Sequence, residues 1–212
     1  MGYLFDLHVH TNRYSPCSRI PPEQLVRQAL RAGLDGLAIT EHHRQWEEEE
    51  LGALVNANGA SRFTLLAGFE YSSSQGDLLI YGVPSDQVSS FIPGGPPQKA
   101  AEMARRLGGV CVAAHPTRAG LGFGERIHEI PLVGIEVVSV NLKEYEQRLA
   151  LGLAKAIKVP PVACSDAHRL EDVGRYATEF QDPIRSMSDL QKALSRGRFR
   201  PADHALAVRG RV

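Results

Sequence analysis

Histidines and carboxylates recur in this sequence at a spacing that suits metal binding. His8 and His10 form one pair two residues apart, and Asp166 and His168 form another. Because residues i and i+2 of a strand point to the same face, both side chains of each pair can reach one ion. Imidazole together with carboxylate favours Zn, Mn or Fe as the ion. The two pairs therefore predict metal-dependent chemistry.

Further candidate ligands stand where other apolar runs end. They lie in the segments ITEHH at 39–43, GFE at 68–70, AHP at 114–116 and GIE at 134–136. Any one of these could be a solvated strand end, but barrel enzymes build their sites at the carboxyl ends of the strands. Their shared position predicts one cluster of two or three divalent ions. Such a cluster can clamp a phosphoryl oxygen and activate a water molecule, so no serine or cysteine nucleophile is required.

The elements that must position these residues alternate along the chain. Seven short apolar runs predict strands buried on both faces, at 3–9, 36–40, 63–69, 78–83, 110–114, 133–138 and 159–164. Amphipathic stretches between or after them predict helices, at 22–32, 98–107, 142–157 and 188–195. Strand followed by helix, repeated, indicates parallel βαβ units.

One connection departs from that pattern. Only residues 71–76 separate the third run from the fourth, whereas a parallel crossover needs about a dozen residues. These two strands should therefore form an antiparallel hairpin, which would place Asp77 beside Glu70. We expect one α/β domain over residues 1–200, a long loop over 86–97, and a tail over 201–212.

Composition narrows the classes of partner. The net charge is zero and aromatic residues make up 7%, which favours neither nucleic acid nor a membrane surface as a partner. No apolar run is long enough to span a bilayer. The three cysteines are odd in number and form no CxxC pair, which indicates a reducing compartment and a cytoplasmic protein. The sequence carries no sign of a particular oligomeric state.

The motifs together resemble a known family. DLHVHT at 6–11, ITEHH, GFE, AHP and SDAH at 165–168 occur in the order and spacing of the polymerase and histidinol phosphatase (PHP) domain. The resemblance covers roughly residues 3–200. It implies a distorted seven-stranded (β/α)7 TIM-like barrel, which here has one antiparallel hairpin, a centre of two or three metals, and phosphoesterase activity.

The resemblance also implies metal ligands, residue by residue. His8, His10, Glu70 and Asp166 would hold one ion, Glu70 and His115 a second, and His42 and His168 a third, with Glu70 bridging the first two. Where the family usually has Asp-His, this chain has Glu41 and His42, and we include Glu41 among the ligands. Asp77 stands where many members have a histidine, and either ligates the second ion or caps the turn after Gly76. Near the third ion, only Ser15, Cys17 or Ser18 could add a ligand.

The remaining predictions concern catalysis and substrate. Glu70, Asp166 and His168 are the predicted catalytic residues, and Arg118, Arg169 and His43 the predicted substrate-binding residues, because the guanidinium group suits phosphate oxygens. The expected function is a metal-dependent phosphoesterase that hydrolyses a small phosphorylated molecule through a metal-activated water. The alternatives are a nuclease, another metal-dependent hydrolase, or a PHP module that binds a partner without catalysis.

Overall fold

Nine strands and five helices build the part of the chain that the computed structural model describes, residues 2–202. The strands are β1 (Tyr3–Val9), β2 (Gly36–His42), β3 (Thr64–Ser72), β4 (Asp77–Tyr81), β5 (Val110–Ala114), β6 (Gly134–Val138), β7 (Pro161–Ala163), β8 (Thr178–Phe180) and β9 (Phe199–Pro201). The helices are α1 (Pro22–Arg31), α2 (Glu48–Ala57), α3 (Pro97–Arg106), α4 (Glu144–Ile157) and α5 (Met187–Arg196). Residues 203–212, which make up most of the predicted tail and include His204, lie outside the described residues.

All nine strands belong to one sheet, in the order β7-β6-β5-β4-β3-β2-β1-β8-β9. A parallel bridge between Val9 and Ala167 brings the segment after β7 against β1, and the Tyr81 hydroxyl donates to the Leu7 carbonyl at 2.6 Å. The sheet therefore curls into a nearly closed barrel, which confirms the predicted TIM-like α/β class. The strand count is higher than the predicted seven, because β8 and β9 extend the sheet beyond β1.

The predicted hairpin is present. β3 and β4 pair antiparallel, with Ser72 opposite Asp77 and Glu70 opposite Leu79. β4 also pairs antiparallel with β5, where Asp77 lies opposite Ala114. Because β4 runs in the reverse direction, its first residue, Asp77, lies beside the last residues of β3 and β5. This is the position that the short connection predicted for Asp77.

Three apolar clusters hold the barrel and its helices together. The central cluster draws residues from most strands, among them Phe5, Leu79 and Val112, and includes Leu190 and Leu194 of α5. The other two lie between the outer face of the sheet and the helices, with α1 and α2 in one and α3 and α4 in the other. Burial of these side chains fixes the strands rigidly, so the loops at their carboxyl ends have a firm base.

Two further observations concern the whole described chain. None of its helices has both the length and the apolar character needed to cross a bilayer. Cys111 and Cys164 are buried free thiols, and burial raises the pKa of Cys111 to about 12. Cys17 is also free but exposed.

Candidate metal centre

The first group of predicted ligands converges at the carboxyl end of the barrel. His8 Nε2 and His10 Nε2 are 3.0 Å apart. Glu70 Oε2 lies 3.5 Å from the first nitrogen and 3.3 Å from the second. Asp166 Oδ1 lies 3.3 Å and 3.5 Å from the same two atoms. His8, His10 and Asp166 therefore direct one atom each toward a common point, and Glu70 borders the same two imidazoles.

These distances fit a metal shell. Ligands on bonds of about 2.1 Å around a tetrahedral ion lie about 3.4 Å from one another. The separations among His8, His10 and Asp166 run from 3.0 to 3.5 Å, and Glu70 Oε2 lies at similar distances from the two imidazoles. The donor set of two imidazoles and two carboxylates also suits a divalent ion such as Zn, Mn or Fe. All four side chains are buried, so a metal here would be largely shielded from solvent.

A second group shares Glu70 with the first. Glu70 Oε1, the oxygen not directed at His10, lies 3.1 Å from His115 Nε2. Asp77 Oδ2 lies 3.9 Å from the same nitrogen, and the three side chains form a set that could hold an ion. The two oxygens of Glu70 thus face two separate groups, which is the arrangement that a bridging carboxylate requires.

A third group consists of imidazoles. Ligand atoms of His10, His42 and His168 lie within 4.8 Å of one another. The His10 ring stacks on the His42 ring at 4.5 Å between centroids, and His42 Nδ1 lies 3.0 Å from Glu70 Oε2. His168 Nδ1 lies 3.1 Å from the Asp166 carbonyl oxygen, to which it can donate. The structure therefore brings both predicted third-site histidines to the same centre.

Glu136, a candidate ligand by its strand-end position that was assigned to none of the three ions, orients two of these groups. Its Oε1 lies 3.3 Å from His8 Nδ1, and its Oε2 accepts from the His115 backbone N–H at 2.6 Å. Because a carboxylate only accepts, His8 must donate from Nδ1, which leaves the Nε2 lone pair for an ion. The sequence signal for this role was the position of Glu136 near the carboxyl end of β6, because the predicted metal ligands lie at the same end of the barrel.

Glu41 does not join the cluster. Its carboxylate accepts hydrogen bonds from the Thr11 backbone N–H and hydroxyl, the Ser15 hydroxyl, and Trp46 Nε1 at 2.9 Å. Ser15 Oγ in turn lies 3.3 Å from His10 Nδ1. Since the Ser15 proton is given to Glu41, the hydroxyl can accept from His10 Nδ1–H. Glu41 therefore contacts the ligands indirectly, through Ser15 and through the backbone of Thr11 next to His10.

The buried charges shift the pKa values of the ligands. Burial lowers the pKa of His115, but the hydrogen bond and charge of Glu70 outweigh it, so the pKa is raised to about 9. The pKa of His8 is also raised, since the carboxylates of Asp166, Glu70 and Glu136 outweigh the effect of burial. Burial raises the pKa of Glu70, but the surrounding histidines lower it well below its usual range. Without metal, protons on these histidines therefore offset the charge of the carboxylates, and a metal ion that takes the same ligands would have to displace those protons.

The backbone is strained at the same place. Among the described residues other than glycine, positive φ occurs at His43 (54°), His115 (25°), Lys158 (59°) and Asp166 (52°). Three of these four adjoin or belong to the predicted ligand set. Such conformations cost about 1–3 kcal/mol each and persist where function requires a side chain in a particular direction.

An open cavity of about 500 Å³ adjoins the cluster. Its walls include the predicted substrate-binding residues Arg118 and Arg169, and Arg118 NH1 lies 3.9 Å from Asp166 Oδ2. Arg19 and Cys17, which had no predicted substrate role, also line it. Both lie in the loop between β1 and α1, and the sequence did not show that this loop borders the cavity. Cations and candidate metal ligands therefore face one space.

His43 has a different environment from the one predicted. Its ring packs edge-on against Tyr71 at 5.7 Å, and its buried Nδ1 has no hydrogen-bond partner within residues 2–202. It is not among the described residues that line the cavity. His42, the residue before it, is the one that joins a group of candidate ligands.

Solved structures share this fold at low sequence identity. PsfC from Pseudomonas syringae PB-5123 is 18% identical, with a TM-score of 0.71 over 99% of this chain and 95% of that one. A two-domain protein from Bacteroides vulgatus ATCC 8482, described as containing a predicted PHP-like metal-dependent phosphoesterase, is 17% identical, with a TM-score of 0.72 over 96% of this chain and 65% of that one. A comparison with curated proteins found no significant match.

A third similar structure corrects the expected partner. The lesion-specific endonuclease PfuEndoQ from Pyrococcus furiosus is 15% identical, with a TM-score of 0.71 over 95% of this chain and 58% of that one. Endonuclease Q has also been solved with a 27-mer duplex substrate that has an abasic lesion at the active site. The prediction of a small phosphorylated molecule as the partner, made because the sequence gave no strong evidence for nucleic acid, is therefore wrong. It relied on the net charge, which does not describe how charge is distributed around the mouth.

Models of two families match the sequence. The PHP domain matches residues 6–150, and a PHP-associated family matches residues 144–199. The first match alone covers more than half of the chain and includes His8, His10, Glu70 and His115. With the buried ligand cluster at the mouth of the barrel, this match shows that the chain belongs to the PHP family.

Proposed function

We propose that this protein is a metal-dependent phosphoesterase that hydrolyses phosphodiester bonds in nucleic acid. The observation that carries the proposal is the open cavity in which Glu70, Asp166 and His115 share a wall with Arg118 and Arg169. Two or three divalent ions, Zn, Mn or Fe, would polarise the phosphoryl group and activate a water molecule. We keep a reducing, cytoplasmic location as part of the proposal, since all three cysteines are free.

Each of the residues around the cavity has a separate role in this proposal. Arg118 and Arg169 would bind phosphate oxygens, because their guanidinium groups stand in the cavity wall beside the ligands. Glu70 and Asp166 would fix the positions of the ions. His168 donates from Nδ1 to the Asp166 carbonyl, so its Nε2 retains a lone pair for an ion or for a proton in transfer.

The distribution of arginines supports a polymeric substrate. Six arginines lie in loops that follow the strands at the mouth, five of them exposed: Arg13, Arg19, Arg44, Arg118, Arg169 and Arg175. Aromatic rings accompany two of them, since Arg44 lies 4.3 Å from the centre of the Tyr14 ring and Arg13 lies 5.2 Å from that of Trp46. A rim of cations extending beyond one phosphate suits a polyanion.

A cleavage assay tests the proposal. Labelled single-stranded DNA, duplex DNA and duplex DNA with an abasic site would each be incubated with the protein and Mn or Zn. We expect metal-dependent cleavage of at least one, and Arg118→Gln should reduce it about tenfold or more through loss of a charged hydrogen bond. The matched control is Arg198→Gln, because Arg198 pairs with Asp182 near the opposite end of β1. Failure to cleave any DNA or RNA with either metal, by protein that hydrolyses bis(p-nitrophenyl) phosphate, would contradict the proposal.

A further inference from the structure

A second cavity lies beside the metal centre. It measures about 420 Å³, and its walls include Ser139, Asn141, Arg169, Arg175 and Tyr176. Asn141, His168 and Arg169 line both cavities, so the two spaces are adjacent. The loops that follow β6 and β7 form its walls. None of the predicted roles accounts for this cavity.

Ser139 gives the cavity an unsatisfied donor. The residue is completely buried, and its hydroxyl has no hydrogen-bond partner within residues 2–202. A buried polar group without a partner costs about 1–3 kcal/mol, so such groups are rare and indicate a missing ligand or a catalytic role. Asn141, by contrast, is engaged, since its Nδ2 donates to Asp166 Oδ2 at 2.7 Å.

The charge of the cavity favours an anion. Two guanidinium groups, Arg169 and Arg175, face one carboxylate, Asp172, whose Oδ1 lies 4.0 Å from Arg175 NH1. Arg169 has no carboxylate within ion-pair distance in the described part of the chain. One of the two cations is therefore uncompensated, and it stands in the wall shared with the metal centre.

We propose that this second cavity binds the phosphate next to the scissile one in a nucleic-acid strand. The Ser139 hydroxyl and the Arg175 guanidinium would donate to its oxygens, while Arg169 would lie between the two phosphates. This inference rests on the proposed function, because it needs a substrate with consecutive phosphates. It explains how the site could select a position along a strand, since a phosphate must occupy each cavity at once.

Binding of dinucleotides tests the inference on the metal-loaded full chain. The probes are dTpdT with a non-hydrolysable phosphonate linkage, and the same compound with an added 5′- or 3′-terminal phosphate, each titrated by calorimetry. One of the two added phosphates should tighten binding about tenfold, as expected for one or two charge-assisted hydrogen bonds. Arg175→Gln and Ser139→Ala should each remove most of that gain, and Arg198→Gln should keep it.

Controls separate this inference from the proposed function. Ser139→Ala should not lower the melting temperature, because the buried hydroxyl makes no hydrogen bond in the protein. Equal binding of all three probes, or a full gain retained by Arg175→Gln, would overturn the second phosphate site even if the protein cleaves DNA. A gain that depends on Arg175 in a protein that cleaves no nucleic acid would support the anion site and overturn the proposed function alone.

Discussion

Oε1 of Glu136 lies 3.3 Å from Nδ1 of His8, and both side chains are buried. The other Glu136 oxygen accepts from the His115 backbone N–H. One carboxylate therefore sets the tautomer of a ligand in the first group and the backbone position of a ligand in the second. A change at Glu136 should affect both groups although Glu136 itself belongs to neither.

Glu136→Gln should weaken metal binding about 10- to 100-fold, as is typical for loss of a partner behind a ligating histidine. A glutamine has only one accepting oxygen, so either His8 Nδ1 or the His115 N–H would face its amide nitrogen. Competition with a chromophoric chelator measures the affinity. Glu179→Gln is the control, because Glu179 bonds Arg200 away from the centre. Unchanged affinity would mean that His8 keeps its tautomer without Glu136.

Glu70→Ala should abolish activity and remove two ions. The reason is that one Glu70 oxygen faces His10 and the other faces His115. Elemental analysis after gel filtration measures the metal content, and turnover is measured with Mn in excess. Complete rescue of turnover by added Mn would show that Glu70 does not bridge.

Asp77 should control the second ion selectively. Asp77→Ala should lower the metal content by at most one ion, since Asp77 approaches only His115 and Glu70 among the candidate ligands. Asp77→His should retain activity and shift metal preference from Mn toward Zn, because imidazole is the softer ligand. Metal content and turnover are measured for both variants with each metal. If Asp77→Ala changes neither quantity, Asp77 serves only the turn after Gly76.

Ser15→Ala should reduce both stability and metal affinity. Ser15 Oγ donates to Glu41 and accepts from the His42 backbone N–H at 3.2 Å, besides its contact with His10. Its removal leaves buried polar groups unpaired, which should lower the free energy of unfolding by about 1–3 kcal/mol. Urea denaturation measures this loss. Ser186→Ala, which removes a helix cap in α5, is the control that should leave metal affinity unaltered.

Removal of metal should destabilise the protein reversibly. The candidate ligands come together only in the folded chain, so an ion that binds them stabilises the folded state over the unfolded one. Metal at about 100 times its dissociation constant should add about 2.7 kcal/mol to the free energy of unfolding. Thermal melts in chelator, and again after Mn or Zn is restored, measure the effect. A melting temperature that does not respond to either metal would argue against a metal centre.

The sequence by itself determined the barrel class and the gathering of the ligands. Alternation along a strand places His8 and His10 on one face, and parallel strands end at one side of a sheet, so local rules were sufficient. The length of residues 71–76 alone predicted the hairpin that brings Asp77 beside Glu70. Strands β8 and β9 were missed because three-residue strands are defined by their pairing and leave little pattern in the sequence. Helix α2 was also not predicted.

Only the tertiary structure decided which acidic residues hold the candidate ligands in place by direct contact. Glu41 and Glu136 both lie near strand ends. The Glu41 carboxylate accepts hydrogen bonds from Thr11, Ser15 and Trp46, none of which is a predicted metal ligand of the first two groups. The Glu136 carboxylate instead accepts from His8 and from the backbone of His115. Which partners a carboxylate meets depends on loops from distant parts of the chain. The same reason explains the rim of arginines and the cavity beside Ser139. A net charge of zero is a sum over the chain, but the field at the mouth depends on where folding places each charge.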